Sequence, residues 1–226
     1  MNVLLVVAKA PVAGLAKTRL CPPADPTQAA RVAAASLLDT LAAVRATAST
    51  IPVLAHTGRF ADAEYGAELT AALRGWHLLD QRGGTFADRL ANAHADTAEA
   101  FPGRPVLQIG MDTPQIRPAL LSTALQRLAT HEAVFGPALD GGWWALGLRD
   151  PSYASALREV PMSTADTGRR TLTALRGRGL HPAILPVQRD VDEWSAALAV
   201  AADLPGTRFA EAVGSVGGHL TSGRPR

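Results

Sequence analysis

A chain of 226 residues, 47% hydrophobic and 19% charged, has the length for one domain with a full-sized core. Its formal net charge is only +2, with a pI near 9.1; no Lys/Arg run or basic stripe accompanies it, so nucleic acid is excluded as the expected partner. Cys21 is the single cysteine, which rules out an internal disulfide and fits a reducing, cytoplasmic setting.

The apolar run Asn2–Ala8 reads as a buried central strand, because no polar side chain interrupts Val3 to Val7. It is too short for a membrane span or a signal segment, so no membrane partner is expected. The loop leaving it, KAPVAGLAKTRL, carries Lys9, Lys17 and Arg19 together with Pro11 and Gly14. It is neither a GxxxxGK[ST] phosphate loop nor a GxGxxG fingerprint. If extended, it places Lys17 and Arg19 on one side, where two cations can neutralise a phosphate chain. A solvated loop with ordinary surface cations explains the same residues.

Further along, 26–48 predicts a long helix, 51–56 a strand, 61–73 a helix and 76–79 a strand. Gln81-Arg82-Gly83-Gly84 is a Gly-bearing turn into a helix ending near Ala100. The strand 105–109 stops at Gly110-Met111-Asp112-Thr113-Pro114, before a helix over 117–129. Asp112 directly after a buried strand suits a divalent cation held by carboxylates and phosphate oxygens; it equally suits a cap or turn. Strands at 133–136 and 143–148 flank Pro137-Ala138-Leu139-Asp140-Gly141-Gly142, a hairpin by composition, whose glycines also let backbone approach a ligand. Helices follow over 151–159 and 164–176, then a strand over 183–187 and a helix over 191–203. Asp190 and Asp192, two apart, can reach one cation if extended, or Asp192 can cap the helix. The tail from about Gly214 reads as flexible by its Gly, Ser and Arg content.

This alternation predicts a three-layer α/β fold, Rossmann-like, with a mixed, mostly parallel sheet and one antiparallel element near 133–148. Residues 1–205 form the expected domain and 206–226 an extension. The six histidines show no metal-ligand spacing, so zinc is not expected, and no GxSxG elbow supports a serine hydrolase.

Taken in order, Lys9-x-Pro11 with Gly14-x-x-Lys17-Thr18-Arg19-Leu20, Gly110-x-Asp112-x-Pro114, Gly136-Pro137-Ala138-x-Asp140-Gly141-Gly142 and Asp190-Val191-Asp192 resemble the bacterial DUF2064 family, also labelled radical-SAM/selenodomain-associated transferase 1. That family is similar to the guanylyltransferases of coenzyme F420 biosynthesis and to nucleotide-diphospho-sugar transferases of the GT-A type. The resemblance implies that Lys17 and Arg19 act on nucleotide phosphates, with Lys9, Pro11, Gly14, Gln81 and Gly84 around the nucleotide. It implies Mg²⁺ (or Mn²⁺) held by Asp112, Asp190 and Asp192, and an acceptor beside Asp140, Gly141 and Gly142. The chain departs from the family at Met111, where Ser is frequent, and at Phe86-Ala87-Asp88-Arg89, where Leu-Gly-x-Arg is frequent. The expected activity is transfer of a nucleoside monophosphate from a nucleoside triphosphate to a phosphorylated small molecule. A glycosyltransferase using a nucleotide-sugar is the second expectation, and a non-catalytic nucleotide-binding protein the third.

Overall fold

The computed structural model describes residues 1–221 of the chain. Its strands are β1 (Asn2–Lys9), β2 (Thr50–Thr57), β3 (His77–Asp80), β4 (Val106–Gly110), β5 (Ala133–Pro137), β6 (Trp143–Leu148) and β7 (Ala183–Ile184). The helices are α1 (Pro26–Arg45), α2 (Gly66–Ala72), α3 (Phe86–Ala100), α4 (Pro118–Thr130), α5 (Thr167–Gly177), α6 (Trp194–Ala202) and α7 (Arg208–Thr221). One sheet runs β3-β2-β1-β4-β6-β5-β7, parallel throughout except for β6, which is antiparallel to both β4 and β5. The expected antiparallel element is therefore the 133–148 hairpin.

β1 is central because both its faces are covered. Leu4 and Val6 point into the core beneath α1, α2 and α4, while Val3 and Leu5 point into the core beneath α3 and α5, and all four are fully buried. At about 1.5–3 kcal/mol for each buried aliphatic side chain, this strand anchors the sheet. α1 begins with a reciprocal cap, in which Asp25 accepts from the Gln28 amide and the Gln28 side chain accepts from the Asp25 amide, with Pro26 in the first turn. Its alanine content follows from burial on two sides. Ala33, Ala34, Leu37 and Leu41 face the sheet, whereas Ala29, Val32 and Ala35 face a separate cluster with α6 and α7.

The structure changes several expected elements. The 61–73 helix is split into a 3-10 turn over Phe60–Asp62 and α2, because Tyr65 adopts a left-handed conformation (φ 52°) between them. The 151–159 helix is a 3-10 helix, and the last strand keeps only two residues. The region read as flexible from about Gly214 is helical through Thr221, in α7, and residues 222–226 lie outside the described residues. α7 was not foreseen, although Phe209, Val213 and Val216 bury its inner face against Val32 and Val200.

β1 is followed by a crossover to β2 on one side, and β4 lies on its other side, so the strand order reverses there. Open α/β sheets place ligands in the crevice outside such a switch point, at the carboxyl ends of the strands. β6 runs the other way, and so delivers its N-terminal residues, Trp143 and Trp144, to the same edge.

Candidate functional site

A cleft of about 580 Å³ opens at this edge, within the range of small-molecule sites. Its lining comes from the ends of β1, β2 and β4, the turn after β3, the first turn of α3, the β5–β6 hairpin, the 162–167 segment and the 190–192 segment.

The loop after β1 is not extended, which corrects the expectation drawn from Lys17 and Arg19. Gly14 takes a positive φ of 75°, Lys17 is left-handed (φ 50°) and Thr18–Leu20 form a 3-10 turn. Lys9 secures the turn by donating from Nζ to the Leu15 carbonyl (2.9 Å), and Pro11 accepts from the Glu64 amide. The two cations converge nevertheless. Lys17 Nζ lies 2.7 Å from Asp192 Oδ1 and 2.8 Å from Asp112 Oδ1, and Arg19 Nη1 lies 3.6 Å from Asp192 Oδ2. Only 12% of the Lys17 side chain is exposed, against 69% for Arg19, so Lys17 is fixed while Arg19 can swing. Burial opposes the charge on Lys17, but the Asp112 and Asp192 carboxylates outweigh it and hold the ammonium above its ordinary pKa. Burial likewise works against ionised Asp192, and the Lys17 and Arg19 charges prevail, so its carboxyl titrates below the usual range.

Asp190 and Asp192 point to the cleft because Val191 between them points inward. Val191 is 1% exposed, packs in the α1–α6–α7 cluster, and its amide donates to the Asp112 carbonyl (2.8 Å). This bond sets the 190–192 segment beside the end of β4. Burial raises the Asp190 carboxyl to about 6, helped by the negative charges of Asp140, Asp192 and Asp112. Asp140 sits at the hairpin tip, where its Oδ1 accepts from the Gly142 amide (2.7 Å). Gly141 there has φ 88°, and a Cβ on it would collide with the Ala165 carbonyl oxygen. The Gly168 amide donates to the Gly141 carbonyl (2.8 Å), so the hairpin tip and the start of α5 meet backbone to backbone.

Among the described residues, carboxylate oxygens of Asp140, Asp190 and Asp192 lie within 4.8 Å of one another. Of the expected metal set, Asp190 and Asp192 fall in this trio. Asp140, expected on the acceptor side, joins Asp190 and Asp192, and Asp112 adjoins them through Lys17. Lys9, Arg19, Gln81, Asp112, Asp140, Gly142, Asp190 and Asp192 line the cleft, whereas Pro11, Gly14, Lys17, Gly84 and Gly141 do not. Pro11, Gly14 and Gly141 shape their loops, and Lys17 reaches the site through its carboxylate partners. Gln81 uses its amide nitrogen to bridge the Ala8 and Ala55 carbonyls at 2.9 Å each, pinning the ends of β1 and β2. Gly84 precedes the Thr85 cap of α3.

Sequence reasoning named Arg89 only within the Phe86-Ala87-Asp88-Arg89 segment, missed Gln108 and Met162 in the cleft, and left Trp143 undecided. Trp143 packs toward α3 and α5 and lines the cleft, while buried Trp144 donates from Nε1 to the Pro186 carbonyl at 3.0 Å. The alternation of β6 explains the division, and the only available signal was that alternation.

A seven-stranded mixed sheet with covered faces, open at this edge to a cleft of clustered carboxylates and cations, defines a GT-A-like α/β fold. The chain belongs to the family described as an uncharacterized protein conserved in bacteria (DUF2064), whose model matches residues 40–164. It is similar in structure to a putative nucleotide-diphospho-sugar transferase from Desulfovibrio desulfuricans, with 22% identity, TM-score 0.82 and 95% of each chain covered. It is also similar to a CMP:2-keto-3-deoxy-manno-octonic acid synthetase complexed with CTP (12% identity, TM-score 0.54, 90% of this chain and 98% of that one). A third similar structure is Rv0371C of Mycobacterium tuberculosis complexed with manganese (21% identity, TM-score 0.52, 88% and 98% covered). At these identities the likeness is one of fold. No match is found among curated proteins.

Proposed function

We propose that the protein is a divalent-metal-dependent nucleotidyltransferase, joining a nucleoside monophosphate from a nucleoside triphosphate to a phosphorylated small-molecule acceptor. The observation that carries this reading is the Lys17 ammonium clamped between Asp112 and Asp192, beside the Asp140–Asp190–Asp192 trio. Four carboxylates face two cations, Lys17 and Arg19, which leaves a formal excess of two negative charges for one divalent ion to balance. The donor set is all oxygen, the preference of Mg²⁺ and Mn²⁺. Octahedral oxygens about 2.1 Å from Mg²⁺ lie roughly 3–4.2 Å apart, so the trio fits such an ion with small side-chain adjustments. The manganese complex of Rv0371C and the CTP complex of the synthetase support the same reading.

Asp140, Asp190 and Asp192 would hold the metal, with Asp112 adjacent. When bound, the ion supplies charge neutralisation on phosphate oxygens. Lys17 keeps its proton throughout and holds Asp112 and Asp192 in place with a fixed positive charge behind the cleft, while mobile Arg19 offers a guanidinium fork to the phosphates. Catalysis then rests on positioning an acceptor phosphate in line with the α-phosphorus, with pyrophosphate leaving.

The first test is thermal shift with nucleoside triphosphates in the presence and absence of Mn²⁺ or Mg²⁺. A ligand at about 100 times its Kd adds roughly 2.7 kcal/mol, so a clear metal-dependent shift is expected. No shift with any nucleotide would overturn the reading. The overall likeness to the Desulfovibrio protein favours a second reading, transfer of a sugar from a nucleotide-sugar. Turnover releasing pyrophosphate supports the first and turnover releasing nucleoside diphosphate the second. Metal-dependent nucleotide binding without turnover would mark a binding protein.

A further inference from the structure

The cleft contains polar groups that the metal–phosphate half does not use. Arg89, in the first turn of α3, lines the cleft with its Nε buried and without a hydrogen-bond partner. Its neighbours explain the vacancy. Asp88 is occupied by the Thr85 cap and by Arg158 Nη1 at 2.8 Å, Asn92 accepts from Arg158 Nη2 at 2.6 Å, and Asp96 takes Arg82. The nearby carboxylates of α3 are thus committed to other arginines. No ion pair joins Arg89 to Asp112, Asp140, Asp190 or Asp192 among the described residues.

Gln108 is the second such group. It points from the middle of β4 toward α3, is 2% exposed and lines the same cleft; its Oε1 accepts no hydrogen bond, although Gln108 stands near enough to the buried His94 imidazole to favour that ring's charged form. Arg89 is half-buried with its Nε out of solvent, and a buried donor and a buried acceptor that make no hydrogen bond are costly unless a ligand completes them. The surfaces around them are apolar: Phe86, Leu90, Trp143 and Met162. A pocket with an apolar wall and few convergent polar groups is the form of a small-molecule subsite.

We propose that Arg89 and Gln108 form the recognition subsite for the second substrate, which carries an oxyanion for the Arg89 guanidinium and a hydroxyl or amine donor for Gln108 Oε1. The body between these groups packs on Trp143 and Met162. The assignment of this ligand as the acceptor rests on the nucleotidyltransferase reading; the subsite itself does not. Arg89 sets the charge of the accepted molecule, because a neutral analogue leaves its charge and its buried Nε unpaired.

The test uses the full chain and three probes with one three-carbon body: glycerol 3-phosphate, glycerate and glycerol. Wild-type protein should bind one or both anions in titration calorimetry without metal and should not bind glycerol. Preference for glycerol 3-phosphate identifies a phosphate head group, and preference for glycerate a carboxylate. Arg89→Gln should weaken the anion at least about tenfold, the loss expected for one charge-assisted hydrogen-bonded pair. Arg89→Lys should recover part of the affinity, since charge is restored without the fork. The Mn²⁺-dependent shift by nucleoside triphosphate should persist in Arg89→Gln, which also verifies that the variant folds. Anion binding that survives Arg89→Gln but is lost in Lys17→Ala places the anion on the β1 loop and overturns the subsite. Equal binding of glycerol, or binding of no probe, also overturns it. Failure of the nucleotide shift in wild type, with Arg89-dependent anion binding intact, would sink the nucleotidyltransferase reading alone.

Discussion

Lys17 shows how one side chain links the two halves of the site. Its left-handed backbone turns the ammonium back toward the sheet edge, where Asp112 and Asp192 each accept a short charge-assisted bond. Lys17→Ala should lower pyrophosphate release about 10²–10³-fold, the effect of losing one preorganised donor. It should leave the fold intact by circular dichroism, since the carboxylates regain balance when Mn²⁺ is added. His94 makes a different prediction. It is fully buried between α3 and the sheet, and burial lowers its pKa to about 4, with the Gln108 amide acting weakly the other way; neither ring nitrogen reaches hydrogen-bond geometry. An unfolded histidine takes its proton near 6.5, so between about 4 and 6.5 the unfolded chain holds more protons. Stability is therefore present above that window and lost as pH falls through it. Urea unfolding should show about 2 kcal/mol lost from this group between pH 7 and pH 5, and His94→Leu should remove that part of the pH dependence.

At the scale of elements, the hairpin between β5 and β6 decides where Asp140 stands. Its tip is held by the Asp140–Gly142 turn and by close backbone contact with the start of α5. Gly141→Ala meets both a positive φ and the Ala165 carbonyl oxygen. It should cost about 1–3 kcal/mol or shift the tip, and Mn²⁺ affinity measured by titration should fall as Asp140 moves from Asp190 and Asp192. The Val191 contact is the counterpart on the other side: a buried residue between two acids fixes both carboxylates toward the cleft.

Across the whole molecule, α6 and α7 form a layer outside α1, and that layer supports the 190–192 segment through Val191. Phe209 is completely buried there. Phe209→Ala should destabilise the protein by about 3–5 kcal/mol in denaturant unfolding, and it should also loosen Asp190 and Asp192, lowering Mn²⁺ affinity. Most of the layered fold was legible from alternation, because buried parallel strands are uninterrupted apolar runs and the helices between them carry clear start and stop residues. α7 was not, since its Gly and Ser content masks an apolar stripe whose partner, the outer face of α1, exists only after folding.

The sequence by itself determined the sheet-and-helix order, the carboxyl-end loops and the concentration of Lys, Arg and Asp in them, because periodicity and strand-end motifs are local properties. Tertiary structure decided which of those groups meet. It moved Asp140 to the Asp190–Asp192 pair, tied Asp112 to Lys17, and left Arg89 and Gln108 unpartnered in the cleft. The reason is geometric: strand order and one antiparallel hairpin bring together residues up to 175 positions apart, and no spacing along the chain encodes that meeting.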